Sequence, residues 1–214
     1  MAKFDLSAEA RDLVVIDAIV GDDEGVGMLP ETTAFLFAEF ADSDGAVLRQ
    51  GVRLWQNGVA QKFVLCDGTT AHGAPPCARR EEQLHEYGVP FSQLVRITND
   101  EVRAAYNTLT EARACVRHAR EMGYTEGIFV AARFHLLRTA MTVVGVVLDE
   151  YPEFRAYFLS GRYLQWNQEV THSQGVTTGR RWELLRDHEL SGILNYPNMP
   201  LPSRVLEYLV ARWR

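Results

Sequence analysis

The feature that most constrains this fold is the alternation of short apolar runs with segments of helical period. Apolar runs of strand length occupy residues 13–20, 62–66, 93–97 and 127–131. This alternation is typical of a parallel sheet covered by helices on both faces. We therefore predict a three-layer, Rossmann-like α/β sandwich, with a mainly parallel sheet of about five strands and a helical C-terminal extension.

The segments between the runs carry helix signals. We predict helices over residues 31–41, 46–57, 78–87, 109–122, 134–144, 181–194 and 203–213. The helix at 109–122 has the clearest start, because Thr108 and Glu111 match the T-x-x-E capping box. In that motif each side chain satisfies a backbone N–H group that the first helical turn leaves without a partner.

Beyond Asp149 the alternation gives way to a different composition. We divide the chain into a ligand-binding core, residues 1–150, and an extension packed on the same domain, residues 151–214. The extension begins with an aromatic cluster: Tyr151, Phe154, Tyr157, Phe158, Tyr163 and Trp166. These rings either pack in the core or form a surface for a protein partner.

Charge and cysteine usage exclude several classes of function. The formal net charge of −6 argues against binding along a nucleic-acid backbone, which requires clustered lysine and arginine. The three cysteines match neither a zinc pattern nor a disulfide framework, which indicates a reducing, cytoplasmic setting. The longest uninterrupted apolar run falls far short of the ~20 residues of a membrane span. We therefore expect a small-molecule ligand and no membrane partner, and the oligomeric state stays open.

Polar residues follow the first two predicted strands, at the edge where open α/β sheets bind ligands. After the first strand the chain has Gly21 and Asp22, and after the second it has Asp67 and Gly68. The carboxylates suit a ligand hydroxyl or a divalent metal, although Asp22 also fits a solvated loop. Gly68 lets the backbone approach a ligand closely, or it simply makes a turn.

Two later segments suit an anionic ligand. Asn107 and Thr108 lie at a predicted helix start, where free N–H groups and the helix dipole favour negative charge. Arg133, His135 and Arg138 follow the run at 127–131, and the last two share a helical face. An imidazole beside a guanidinium suits a general acid or base next to a charge clamp. We therefore expect His135 and Glu111 as catalytic residues, with Arg133 and Arg138 binding the anion.

Familiar nucleotide-binding signatures are absent from the sequence. No G-x-G-x-x-G follows the first apolar run, which disfavours a dinucleotide fold of the usual kind. Residues 175–181 have glycines but lack the lysine of a phosphate-binding P-loop. The nature of the ligand is therefore not given by a motif.

The order of these fragments resembles the YdcF/SanA/ElyC-type domain, a bacterial family of poorly known function. The matching fragments are Gly21, Arg49, Cys66-Asp67-Gly68, Gly88-Val89-Pro90, Asn107-Thr108-Leu109-Thr110-Glu111-Ala112, and Val130 with Phe134 to Arg138. Trp182 and Glu189 are similar to its C-terminal segment. The resemblance adds Gly21 and Arg49 to the expected ligand-binding residues.

The resemblance also has departures and a further implication. Ala131, Ala132 and Arg133 replace the small polar residues or proline usual before the histidine, and Thr69 replaces a glycine. The resemblance therefore implies the scaffold more strongly than the ligand. Members without a membrane anchor have been suggested to bind S-adenosylmethionine, so the resemblance implies that cofactor here, and a divalent metal stays open.

Three hypotheses of function follow. In the first, the chain is an enzyme acting on a nucleotide-like or phosphorylated small molecule. In the second, it binds S-adenosylmethionine or a related nucleoside without turnover. In the third, it is an interaction protein that uses its aromatic C-terminal region. Sequence alone leaves open whether the chain is an enzyme.

Overall fold

A computed structural model describes most of the chain. The described residues are 7–21, 26, 32–68, 73, 75–162, 164–171, 177–196 and 199–212. Asp22, Thr69 and Tyr163, which the sequence analysis singles out, lie outside them.

The described residues form a five-stranded parallel sheet. Its strands are β1 (Thr32–Leu36), β2 (Ala60–Cys66), β3 (Leu94–Ile97), β4 (Glu126–Ala131) and β5 (Arg155–Ser160). Their order is β3-β2-β1-β4-β5, and every neighbouring pair is parallel. The predicted α/β fold is therefore confirmed. Because the chain runs outward from β1 to β3 and then returns to place β4 beside β1, a crevice forms where β1 and β4 end.

Helices cover both faces of the sheet. They are α1 (Ala8–Gly21), α2 (Ala41–Gln56), α3 (Cys77–Glu86), α4 (Asp100–Ala104), α5 (Thr108–Glu121), α6 (Leu136–Glu150), α7 (Arg181–Leu184), α8 (Leu190–Asn195) and α9 (Pro202–Ala211). One apolar cluster joins the sheet to α1, α5, α6 and α9, and a second joins its other face to α2 and α3. A hairpin of β6 (Glu169–Thr171) and β7 (Thr178–Arg180) stands apart from the sheet.

Strand β1 shows why the sheet is buried on both faces. All five of its residues are buried. Phe35 packs in the cluster of α1, α5, α6 and α9, where its ring stacks on Phe129 of β4 at a centroid distance of 4.8 Å. Ala34 and Leu36 pack in the opposite cluster. Successive side chains of a strand point to opposite faces, so a central strand needs apolar residues throughout.

The prediction of a first strand at residues 13–20 is wrong, because that segment lies in α1. Leu13, Ile16 and Val20 are buried, whereas Val14 is 61% exposed. This spacing follows one helical face, and a short apolar run alone does not distinguish a helix from a strand. The Ser7 hydroxyl accepts a hydrogen bond from the N–H of Ala10 at 3.2 Å, as at a helix start. No helix in the described ranges is long and apolar enough to cross a membrane.

The prediction of a helix at residues 31–41 is also wrong, because β1 occupies residues 32–36. The segment has β-branched and aromatic residues, Thr32, Thr33 and Phe35, which suit a strand. The segment pairs with β2 on one side and with β4 on the other. The free energy of this central sheet position outweighs the weak local preference for a helix.

The aromatic residues after Asp149 belong largely to the core. Tyr151, Phe154, Tyr157 and Phe158 are buried, and the last two lie in β5. The sheet therefore continues past residue 150, where the sequence analysis begins the extension. These four side chains are not available as a surface for a protein partner.

Candidate functional site at the crevice between two strands

Glu39 and His135 meet at the crevice where β1 and β4 end. Glu39 lies three residues beyond β1, and His135 lies four residues beyond β4, at the N-cap of α6. Glu39 is 6% exposed and His135 is 5% exposed, so both ionisable groups are buried. A buried pair of this kind at a strand crossover is the default location for a ligand site in an open α/β sheet.

A chain of hydrogen bonds runs through these two residues. Oε1 of Glu39 lies 3.0 Å from Nδ1 of His135 and also accepts the N–H of Ala132 at 3.1 Å. On the far side of the imidazole, Nε2 lies 3.1 Å from the hydroxyl of Thr108. The carboxylate thus fixes both the turn that carries His135 and the orientation of its ring.

Arg138 determines which nitrogen of His135 carries the proton. Its Nη2 lies 3.1 Å from Nε2 of His135, and a guanidinium can only donate hydrogen bonds. Nε2 must therefore accept, and the proton of the neutral ring lies on Nδ1, which donates to Glu39. Nε2, the acceptor nitrogen of the ring, is shared between the Arg138 guanidinium and the Thr108 hydroxyl. A carboxylate on the other ring nitrogen raises the basicity of Nε2.

Charge raises the pKa of His135. Burial lowers it, but the nearby carboxylates of Glu39 and Glu189 raise it by more, so the pKa lies above the ordinary histidine value. Arg138 opposes this rise in part. Histidine is the side chain most often used in general acid–base chemistry.

Glu189 holds Arg138 from the C-terminal part of the chain. Its Oε2 lies 2.9 Å from Nε of Arg138, and the glutamate is fully buried. Glu189 lies at the end of a π-helical turn, Leu185–Glu189, between α7 and α8. Such turns insert one extra residue and often lie at functional sites. We refer to the connected side chains at this crevice as the relay: Glu39, His135, Thr108, Arg138 and Glu189.

The start of α5 differs from the predicted T-x-x-E capping box. The N-cap is Asn107, whose Oδ1 accepts from the N–H groups of Leu109 and Thr110. In return, the hydroxyl of Thr110 accepts the N–H of Asn107 at 3.1 Å. The prediction is therefore displaced by one residue, because asparagine caps as well as threonine does. Neither Thr108 nor Glu111 caps the helix, and both side chains are available for other contacts.

Glu111 supports the loop after β1 instead of the helix start. Its Oε1 accepts the N–H of Ala38 at 3.0 Å and the hydroxyl of Tyr106 at 3.1 Å. Burial raises the pKa of Glu111 to about 7, although the charge of Arg80 and the N–H of Ala38 lower it. Its hydrogen bonds to Ala38 and Tyr106 hold the loop, and neither of these bonds involves His135.

Arg80 and Asp44 complete this support. Nε of Arg80 lies 2.9 Å from Oδ1 of Asp44, and each side chain is at most 2% exposed. Nη2 of Arg80 donates to the carbonyls of Leu36 and Phe37, at the end of β1. We refer to the side chains that hold this loop as the anchor: Asp44, Arg80, Tyr106 and Glu111.

In the loop after β2, where the sequence predicts close approach of a ligand, the Tyr106 side chain packs against the backbone instead. A Cβ atom on Gly68 would lie 2.3 Å from the Tyr106 ring, so the glycine allows that ring to pack against the backbone. Neighbouring Asp67 is half-exposed and forms a 3.7 Å ion pair with Arg96. Asp67 and Gly68 lie at the same edge of the sheet as the relay, and they contact Arg96 and Tyr106 of the protein itself.

Three other predicted site residues lie away from the relay. Arg133 forms two hydrogen bonds to Asp17 of α1, at 2.8 and 2.7 Å. Gly21 ends α1 and lies against the Arg133 guanidinium. Arg49 is exposed on α2. The structure therefore brings together His135, Arg138 and Thr108 from the predicted set, with Asn107 and Glu111 nearby.

Sequence reasoning misses Glu39, which orients the histidine. The sequence analysis predicts a helix at residues 31–41, so Glu39 is not expected to follow the end of a strand. Reading 32–36 as a strand would have put Glu39 at the same edge as His135. Asp44 and Arg80 give no comparable signal, since they are distant from each other in sequence and Arg80 also bonds to backbone carbonyls.

No cluster of three or more histidine, cysteine, aspartate or glutamate side chains suited to a metal ion occurs within the described ranges. No protein-family model matches the chain, and no curated protein matches its sequence.

Proposed function

We propose that the chain is an enzyme that binds a small nucleotide-like or phosphorylated molecule at the crevice and uses His135 as a general acid or base. The observation that carries the proposal is the buried Glu39–His135 pair, with Nε2 of the ring directed to the Thr108 hydroxyl. A carboxylate that fixes the histidine tautomer while leaving the other nitrogen basic is the arrangement that acid–base enzymes use. Glu111 belongs to the loop support in this proposal.

The helix starts around the crevice favour an anionic ligand. Thr108 at the start of α5 is 3.1 Å from His135 at the start of α6, and Glu111 in the first turn of α5 bonds the loop that leads into α2. Three helix N-termini therefore lie at one edge of the sheet. The dipoles of these helices favour phosphate or carboxylate groups.

The same scaffold is consistent with a YdcF-like assignment, which we keep as part of the proposal. The resemblance rests on Asn107-Thr108 before one helix and His135 before the next, and these are the segments whose side chains join in the relay.

A thermal-shift screen followed by a kinetic comparison tests the proposal. The panel holds nucleotides, sugar phosphates, S-adenosylmethionine and magnesium ions. A ligand at about 100 times its dissociation constant stabilises the protein by about 2.7 kcal/mol. With the ligand that stabilises the protein in this screen as substrate, we expect His135→Gln to lower kcat by about 10²- to 10⁴-fold. His85→Gln is the matched control, because His85 is exposed on α3 and stacks on Phe91. Unchanged turnover in His135→Gln would remove the histidine from the mechanism.

The charge balance at the crevice favours a second candidate, a non-catalytic domain for S-adenosylmethionine or a related nucleoside. Arg138 is paired with Glu189, and Arg133 is paired with Asp17. A zwitterionic ligand with a sulfonium group requires fewer free cations than a polyphosphate does. In this case His135→Gln would change the affinity for S-adenosylmethionine, and no product would form with any member of the panel.

A further inference from the structure

We infer that the Thr108 hydroxyl is the nucleophile of this site and that the substrate is a phosphate ester, whose phosphoryl group is transferred first to Thr108 and then to water. The inference rests on the proposed function. Its geometry is the series Glu39 Oε1, His135 Nδ1, His135 Nε2 and Thr108 Oγ1, with separations of 3.0 and 3.1 Å across the ring. These distances lie within the range at which a base activates a hydroxyl.

Solvent exposure differs along the series of Glu39, His135 and Thr108. Glu39 and His135 are buried, whereas Thr108 is partly exposed. The hydroxyl is therefore the end of the series that a ligand can reach. Nε2 of His135 therefore faces the one residue of the series that is accessible to solvent.

The capping of α5 leaves the Thr108 hydroxyl free for this role. Asn107 and Thr110 satisfy the helix start between them. Thr108 is the first residue of α5, so negative charge that develops on its oxygen lies at the positive end of the helix dipole. The same dipole stabilises the phosphoryl oxygens beside it.

The chemistry balances with the groups present. A bond forms between Oγ1 of Thr108 and the phosphorus, and the hydroxyl proton moves to Nε2 of His135. The bond from phosphorus to the alcohol oxygen breaks, and that oxygen takes the proton from Nε2. Water then attacks the phosphorus and gives its proton to Nε2. The bond to Oγ1 breaks, and the proton returns to Thr108. The products are the alcohol and inorganic phosphate.

A fluorophosphonate reagent tests the nucleophile in the full-length protein. Its P–F bond breaks with loss of fluoride while Oγ1 bonds to phosphorus, and the adduct is located by peptide mass spectrometry. We expect the label on Thr108, its loss in Thr108→Val and its retention in Thr108→Ser. Thr98→Val is the matched control, because Thr98 is exposed after β3 and its hydroxyl donates to Asp67. His135→Gln should slow labelling by about 10²- to 10⁴-fold.

A parallel measurement separates this inference from the proposed function. Thermal shift with adenosine monophosphate and the rest of the panel reports ligand binding, and kcat in His135→Gln reports the histidine. No label on Thr108 in the wild-type protein overturns the nucleophile, whatever the screen gives. If a ligand still binds and His135→Gln still lowers kcat, the proposed function stands without the nucleophile. If neither occurs, both fail.

Discussion

The relay and the anchor meet at the loop after β1, yet they use buried charge in different ways. In the anchor, Arg80 and Glu111 bond directly to the backbone of residues 36–38. In the relay, the side chains bond mainly to one another, and the series ends at the partly exposed hydroxyl of Thr108.

This difference separates a structural role from a chemical one. A charged side chain that bonds to a loop fixes its path, and the loop then directs Glu39 toward His135. A charged side chain that bonds to another titratable group sets the protonation state of that group. We therefore expect substitutions in the anchor to affect mainly stability, and substitutions in the relay to affect mainly chemistry.

The largest expected loss of stability follows Arg80→Met. The change leaves Asp44 buried without its ionic partner, a situation that costs about 3–5 kcal/mol. The loop after β1 also loses two hydrogen bonds. Urea unfolding measures the loss. His135→Gln is the matched variant in the relay, since glutamine can still donate to Glu39, and we expect it to cost less than about 1.5 kcal/mol.

Two outcomes would change the comparison. Equal losses of stability in Arg80→Met and His135→Gln would mean that the relay is as structural as the anchor. Rescue of Arg80→Met by a second change, Asp44→Leu, would show that the unpaired carboxylate causes most of the loss, because the double variant removes both charges.

A smaller effect, and one that depends on pH, is expected for Glu111→Gln. The pKa of Glu111 is about 7 in the folded protein, above its unfolded value of 4.5, so the folded state holds the proton more tightly. Stability is therefore highest below the unfolded value and falls as the pH rises through the folded one. Glutamine keeps the acceptor for Ala38 and Tyr106 without this penalty.

We expect Glu111→Gln to be more stable than the wild type by about 3 kcal/mol near pH 8, and by less than about 1 kcal/mol near pH 5. Urea unfolding at the two pH values measures the difference. The His135–Glu39 pair is present in both proteins and cancels. A constant difference across pH would show that Glu111 ionises at its ordinary pKa, and the anchor would then hold a charged carboxylate throughout the neutral pH range.

The sequence predicts the general architecture well and predicts the polar networks only in part. Strands β2, β3 and β4 follow from apolar runs bounded by turn residues, and the helices after them follow from their period. The first strand is misplaced because the run at 13–20 has an apolar composition that suits either kind of structure. Packing against α9 and β5 buries one helical face of this segment, and that tertiary contact favours the helix.

The candidate site shows the same limit. His135, Arg138 and Thr108 could be predicted because they follow a strand or begin a helix, which are local properties. Glu39 and Glu189 could not, because their roles depend on contacts with residues 96 and 51 positions away in the chain. Arg133 follows the local rule equally well, but its partner is Asp17 of α1. A tertiary contact thus decides which arginine joins the relay.

The smallest expected effect distinguishes the two threonines at the start of α5. Thr110→Val removes half of the reciprocal cap with Asn107, and such a loss costs about 1 kcal/mol. Thr108→Val removes only a hydroxyl that faces His135, so we expect a cost of a few tenths of a kcal/mol. Both variants replace a hydroxyl with a methyl group within one helical turn, so urea unfolding compares them directly. If Thr108→Val proved the more costly, its hydroxyl would have a structural role, and the relay would no longer be mainly chemical at this helix.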